Sequence, residues 1–197
     1  MITTNLENDN NLAELTDEVL VKKALKNQLA FAELVNRYQD KLHRYVSRLA
    51  KLEETDIDDI LQETFIKVYL NLNGFDTSLK FSSWLYRITH NETINHFRKR
   101  SVKYEVGLNI EDEEKADEFW KEEGFKQIDQ SLDRAKINKT LNKLPTNYRD
   151  VLILKYFEEK NYEEISDILQ KPPGTIASWL NRAKTQFREL HQSYDQS

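Results

Sequence analysis

The sequence has no cysteine, three prolines and four glycines among 197 residues. Without cysteine there is no disulfide, no thiolate nucleophile, no zinc knuckle and no iron–sulfur cluster, and the simplest compartment is the cytoplasm. So few glycines and prolines leave little material for hairpins, glycine-rich phosphate loops or a β-sandwich, whose turns consume these residues. No unbroken apolar run exceeds four residues, as at Val151–Leu154, against the roughly 18 that a membrane-spanning helix needs. The N-terminus offers neither the basic region nor the apolar core of a signal peptide, since Glu7 and Asp9 precede any Lys or Arg. Patterns for catalysis are also missing. His43, His90, His96 and His191 make no i, i+3 or i, i+4 pair, and there is no Glu-x-x-His, GxxxxGK(S/T), GxSxG or HExxH. Neither an enzyme, nor a cofactor, nor a metal site is expected.

What is present favours an all-α protein of two small helical domains. Apolar residues make up 39% and charged residues 32%, enough of the former for a core. The net charge of −5 counts at first against nucleic acid, whose binders are usually basic. That charge is strongly segregated, however. Residues 81–104 carry Arg87, Arg98, Lys99, Arg100 and Lys103 against Glu92 alone, a local +4. Residues 105–130 carry ten acids against Lys115, Lys121 and Lys126, a local −7, with two of the four glycines and no sustained helical stripe. This divides the chain into a domain at 1–104, an acidic linker at 105–130 and a second domain at 131–197, with residues 1–15 expected to be disordered. Phe119, Trp120 and Phe125 suggest that part of the linker docks on something. Apolar periodicity predicts helices near 16–26, 28–51, 55–72 and 81–101, then near 131–143, 146–158, 161–169 and 174–191. Thr16 and Thr55 are the expected N-caps of the first and third.

Three helices carry the functional signal. On the 55–72 helix, Ile57, Ile60, Leu61, Thr64, Val68 and Leu72 form a core stripe, while the opposite arc holds Asp56, Asp59, Glu63, Ile66 and Leu70, with Gln62 at its edge. Aliphatics set among carboxylates suit a protein partner with a basic, apolar-centred surface. The alternative is a broad core stripe that buries Ile66 or Leu70, and a metal site at Asp56, Asp59 and Glu63 is a weaker one. On the 81–101 helix, Phe81, Trp84, Leu85 and Ile88 read as core. Beyond Ile88 that arc turns polar, with Arg87, Asn91, Asn95 and Arg98 in one row, Tyr86, His90, Thr93 and Phe97 on another flank, and a basic end. Cations for phosphates, amides for base edges and rings for unpaired bases make a nucleic-acid surface. A helix sandwiched between neighbours, its basic end complementing its dipole, is the competing account. Finally, Tyr162, Ile165, Ile168 and Leu169, then Ile176, Leu180, Ala183, Phe187 and Leu190, stripe a helix-turn-helix candidate. Its second helix shows Thr175, Ser178, Arg182, Thr185 and Gln186 outward, with Trp179 at the edge. Many αα-hairpins look similar and bind nothing.

The stretch Asp58-Asp59-Ile-Leu-Gln-Glu-Thr-Phe-Ile-Lys-Val-Tyr, followed by Phe81-Ser-Ser-Trp-Leu-Tyr-Arg-Ile and Asn91, resembles region 2 of bacterial sigma factors, most closely the extracytoplasmic-function group of the sigma-70 family. Leu144-Pro145 through Arg149-Asp150-Val151, Tyr162-Glu-Glu-Ile and Gly174-Thr-Ile-Ala-Ser-Trp-Leu-Asn-Arg-Ala-Lys resemble region 4. The resemblance covers about residues 20–104 and 131–190 in the family order. It implies a promoter-specificity subunit that binds core RNA polymerase. Asp56, Asp59, Gln62, Glu63, Ile66 and Leu70 would meet the clamp coiled coil of the β′ subunit, and the second domain would rest on the β flap. The minus-10 element and a base extruded from it would meet Asn73, Phe75, Lys80, Ser83, Trp84, Tyr86, Arg87, His90, Asn91, Asn95 and Arg98. The minus-35 element would meet Thr175, Ser178, Trp179, Arg182 and Lys184, and the acidic linker would thread the RNA-exit region. Such factors are often held inactive by an anti-sigma partner. Departures from the pattern are Ala177 and Trp179, where basic residues are common, Gln170, where a turn glycine is usual, and Pro173. A stand-alone helix-turn-helix regulator or a protein-interaction module is the alternative function.

Overall fold

The computed structural model describes residues 12–50, 52–100 and 133–193, so the expected linker at 105–130 and the first eleven residues of the expected disordered stretch lie outside the described residues. The chain separates into two compact units, one drawn mostly from residues 1–102 and one from 103–197. Among the described residues the regular elements are all helical.

In the first unit a 3-10 turn, Leu12–Glu14, precedes α1 (Asp17–Ala24), α2 (Gln28–Leu49), α3 (Glu54–Asn71) and α4 (Phe81–Arg100), with a second 3-10 turn at Leu72–Gly74. Residues 12–15 are thus ordered, contrary to expectation, and the reason is Arg37. Its guanidinium donates through Nε to Glu33, through Nη1 to Leu15 O and Asp17, and through Nη2 to Leu12 O and Ala13 O, at 2.7–3.0 Å. The Tyr38 hydroxyl donates to the other oxygen of Asp17. Thr16 takes the N-cap position of α1 with extended backbone, though its hydroxyl makes no cap bond. The N-cap of α3 is Glu53 rather than Thr55, which moves Glu54 and Asp56 into the first turn, where the helix dipole favours acids.

The core of this unit takes in the apolar side of α2, with Ala30, Leu34, Tyr38, Leu42, Tyr45 and Val46 buried, and the predicted stripe of α3, which is buried in full. On α4 the expectation was only half right. Phe81 and Leu85 are buried, but the inner arc continues through Tyr86, Thr89 and Thr93, while Trp84 and Ile88 stay half-exposed. A buried hydroxyl is costly unless it is bonded, and these satisfy themselves within their own helix. Thr89 donates to Leu85 O at 2.9 Å and Thr93 to Thr89 O at 2.8 Å, and on α3 Thr64 donates to Ile60 O at 2.8 Å.

The second unit comprises α5 (Asp133–Leu141), α6 (Thr146–Leu152), α7 (Tyr162–Leu169) and α8 (Pro173–Ser193), with α8 packed on the other three. The predicted helix 146–158 is not α-helical throughout, because Ile153–Phe157 forms a π turn closed by Glu158 N–H to Ile153 O at 3.1 Å. A reciprocal capping box opens α7: Asn161 Oδ1 accepts from Glu164 N–H at 2.9 Å, and a Glu164 carboxylate oxygen accepts from Asn161 N–H at 2.8 Å. Gln170 ends the helix in the left-handed region, at φ 54° and ψ 46°, a conformation that usually favours glycine. Its amide donates to Asp167 O at 2.6 Å, and Ser166 Oγ donates to Lys171 O, also at 2.6 Å, holding the turn. Pro173 then opens α8 at the position where a missing N–H costs nothing.

Asp150 is buried among these helices, and burial pushes its carboxyl up to about 7 against the opposing pull of the Arg149 guanidinium. The folded unit therefore holds a proton that the unfolded chain has released, and stability falls as pH rises from about 4 to about 7. Asp150→Asn should flatten this slope, raising protection of the α6 and α8 amides in hydrogen exchange at pH 8 relative to wild type. An unchanged slope would remove the account.

Candidate nucleic-acid and partner interfaces

Opposite its buried stripe, α3 presents Asp59, Gln62, Glu63, Ile66 and Leu70 to solvent. Ile66 is 45% and Leu70 72% exposed, so neither belongs to the core, and the broad-stripe alternative falls away. Asp56 sits differently: half-buried, it faces α4, its Oδ1 lying 3.5 Å from His96 Nε2. Tyr69, which sequence reasoning missed, is 48% exposed beside Leu70, and its ring meets Phe31 of α2 edge-on at 5.0 Å. Its spacing of three from Ile66 on the same helix was the available signal. Among the described residues no group of three or more His, Cys, Asp or Glu is arranged to hold a metal ion.

The loop between α3 and α4 is anchored by rings. Phe75 packs on Trp84 at 4.9 Å and on Phe81 at 5.8 Å, and Phe81 reaches Tyr38 at 5.8 Å. Asp76 Oδ1 accepts from Ser78 N–H at 2.9 Å, a turn that lowers the pKa of its carboxyl. Asn73, Lys80, Asn91, Asn95 and Arg98 are exposed, and Arg87 is half-exposed. Ser83 and Tyr86, expected on the surface, are buried instead, because the inner arc of α4 is rotated from the predicted one and sets Tyr86 against Tyr45 at 5.0 Å. His90 turns toward the same place, with Nδ1 3.2 Å from the Tyr45 hydroxyl, and burial drives its pKa down to about 4. Near neutral pH it is an uncharged imidazole rather than a phosphate-binding cation.

Beside the loop an open cleft of about 380 Å³ is lined by Lys67, Asn71, Gly74, Trp84, Ile88, Asn91 and Glu92. Trp84 and Asn91 were predicted together for one function, and here they share one wall. Lys67 and Asn71 of α3 and Glu92 of α4 were not foreseen, since the two helices come together only in the fold. Lys67 Nζ lies 2.7 Å from Glu92 Oε1, and the Asn71 amide donates to Lys67 O at 2.8 Å.

On α8, Thr175, Ser178, Trp179 and Arg182 are half-exposed, whereas Lys184 is 8% exposed. Lys184 lies four residues beyond Leu180 and eight beyond Ile176, so its stem joins the core arc that they define. This sets it apart from the surface row to which it was assigned.

The family model "Sigma-70 region 2" matches residues 34–102, and "Sigma-70, region 4" matches 134–187. The ECF RNA polymerase sigma factor SigW of Bacillus subtilis is 35% identical over 186 residues, covering 87% of this chain and 97% of its own. The ECF RNA polymerase sigma-E factor of Escherichia coli K12 is 34% identical, with 87% and 92% covered. Among solved structures, CnrH in complex with the cytosolic domain of CnrY aligns with a TM-score of 0.68 at 25% identity, covering 90% of this chain and 97% of that one. The sigma factor RpoE of Bartonella quintana, solved with the anti-sigma factor NepR, shares the fold with a TM-score of 0.63 at 22% identity, covering 82% and 96%.

Proposed function

The chain belongs to the sigma-70 family, in its extracytoplasmic-function group, and is a sigma factor for promoter recognition by RNA polymerase; we propose that residues 1–104 dock on core polymerase and open the minus-10 element while residues 131–197 read the minus-35 element. The observation that carries the division is the exposed α3 face. A stand-alone regulator has no need of Ile66 and Leu70 held in solvent among Asp59, Gln62 and Glu63. On a polymerase they supply buried contact, while the carboxylates steer the approach to a basic coiled coil of the β′ subunit. The same exposed strip would serve an anti-sigma factor that competes with the polymerase. That CnrH is solved in complex with the cytosolic domain of CnrY supports such a second protein partner.

At the minus-10 element, Asn73, Lys80, Arg87, Asn95 and Arg98 meet the strand. The cleft between Trp84 and Asn91 takes a base extruded from it, since a ring can leave the duplex stack only if another surface receives it. At the minus-35 element, Thr175, Ser178, Trp179 and Arg182 face the major groove, with the β flap behind them. The acidic linker occupies the polymerase channel that otherwise holds RNA phosphates. The chain acts without catalysis of its own, without a cofactor, and in the cytoplasm where its polymerase works. Among the described residues no helix is long and apolar enough to cross a membrane.

A pull-down with core polymerase tests the docking: Asp59→Arg with Ile66→Asp should reduce capture about tenfold or more, and full capture by this variant would defeat the model. For base capture, Asn91→Ala and Trp84→Ala should slow open-complex formation on duplex promoters more than Arg182→Ala does, with much of the loss recovered on a pre-melted template. Equal effects on both templates would count against it. Neutralising Glu111, Asp112, Glu113 and Glu114 should alter the pattern of short abortive transcripts; an unchanged pattern excludes the channel role of the linker.

A further inference from the structure

The cleft holds an ion pair whose chemistry has a bearing on which base can enter. Its volume of about 380 Å³ lies at the small end of ligand sites, which run from about 300 to 1,000 Å³. Trp84 and Ile88 give it apolar walls, while Asn91, Asn71, Lys67 and Glu92 supply polar groups. Glu92 is the unusual member, because a carboxylate beside a strand of phosphates is repelled unless its charge is answered. Lys67 answers it at 2.7 Å, reaching from α3 to α4. The Glu92 side chain is 12% exposed and that of Lys67 43%, so the acid is the more buried member of the pair.

We infer that Glu92, held and neutralised by Lys67, makes the cleft select a base that carries an exocyclic amine and reject thymine. This rests on the reading above that the cleft receives an extruded base. A carboxylate only accepts hydrogen bonds, and Lys67 uses one of its two oxygens. The other can take an N–H from the amine of cytosine, adenine or guanine, each of which projects from the corner of its ring. Carboxylates pair with the cytosine amine in duplex recognition for the same reason. Thymine has one ring N–H, set between two carbonyl oxygens. An anion that approaches it meets a carbonyl lone pair on either side. The Lys67 ammonium, a donor only, is then available to a ring nitrogen or carbonyl of the accepted base. Asn91, able to donate and to accept, discriminates little by itself.

The test uses holoenzyme assembled from core polymerase and the full chain, presented with fork-junction DNA in which the single-stranded non-template positions of the minus-10 segment are randomised. Bound DNA is sequenced for wild type, Glu92→Leu, Glu92→Gln and Lys67→Met, and holoenzyme assembly is measured separately for each. Wild type should disfavour thymine at one position by at least about fivefold. Glu92→Leu should bring that bias below about twofold, and Glu92→Gln, which can donate to carbonyls, should admit thymine. Lys67→Met should weaken binding across all sequences and keep the bias. A pair that merely braces α3 against α4 would change stability without changing which base is chosen. A wild-type bias that survives intact in Glu92→Leu, or no bias against thymine in wild type, overturns this inference and leaves base capture standing, whereas base capture itself falls if Trp84→Ala and Asn91→Ala slow open-complex formation equally on duplex and pre-melted templates.

Discussion

The contact between α3 and α4 is the constraint on which the rest of the first unit depends. Two surface features lie on this pair of helices: the exposed acidic and aliphatic strip of α3, and the cleft lined from α3, α4 and the turn between them. Their spacing is set by how the two helices pack, and both helices bury threonines. Thr64, Thr89 and Thr93 are fully buried, and each returns its hydroxyl to the carbonyl one turn earlier. A small side chain that brings its own hydrogen-bond partner needs no water and no cross-helix mate. Across the two helices Lys67 reaches Glu92 at 2.7 Å, and Asp56 lies 3.5 Å from His96 one turn further along α4.

The overall charge is consistent with this division of labour. Affinity for duplex DNA comes largely from neutralising phosphates, and a chain with a net charge of −5 does little of that alone. Four of the five cations among residues 81–104 lie on α4, which in the proposed reading faces the minus-10 element, while acids occupy the exposed face of α3 and the linker. A subunit of this kind contributes selectivity, while the enzyme it joins contributes most of the positive field. His90 fits the same economy of charge: buried and neutral, it supports Tyr45 and adds nothing to the basic surface.

Much of the fold was legible because period and burial coincide. The α3 stripe was read correctly in all six positions, since its buried residues are apolar apart from one threonine. The α4 stripe was misread because Thr89 and Thr93 count as polar in a sequence and behave as apolar once their hydroxyls close on their own helix. That error rotated the helix on paper, keeping Trp84 and Ile88 in the core and sending Tyr86 and Ser83 to the surface. Lys184 went astray for the opposite reason, its charge hiding a stem that follows Leu180. The left-handed Gln170 was marked by a missing glycine, but the bonds that hold it join residues three and five apart, which no propensity reports. The cleft was half visible. Trp84 and Asn91 stand on one helix, whereas Lys67 and Glu92 meet only after the chain has folded back.

Arg37 has one more implication, which concerns chain entropy. Its five N–H groups are all committed, three of them to backbone carbonyls of residues 12–15. It thereby closes a loop of about 25 residues, for which the entropic cost grows only slowly with length. In a secreted domain a disulfide would make such a closure. In a chain with no cysteine, a planar fork of donors makes it instead, and the resulting cross-link is indifferent to redox state and can be undone without breaking a covalent bond.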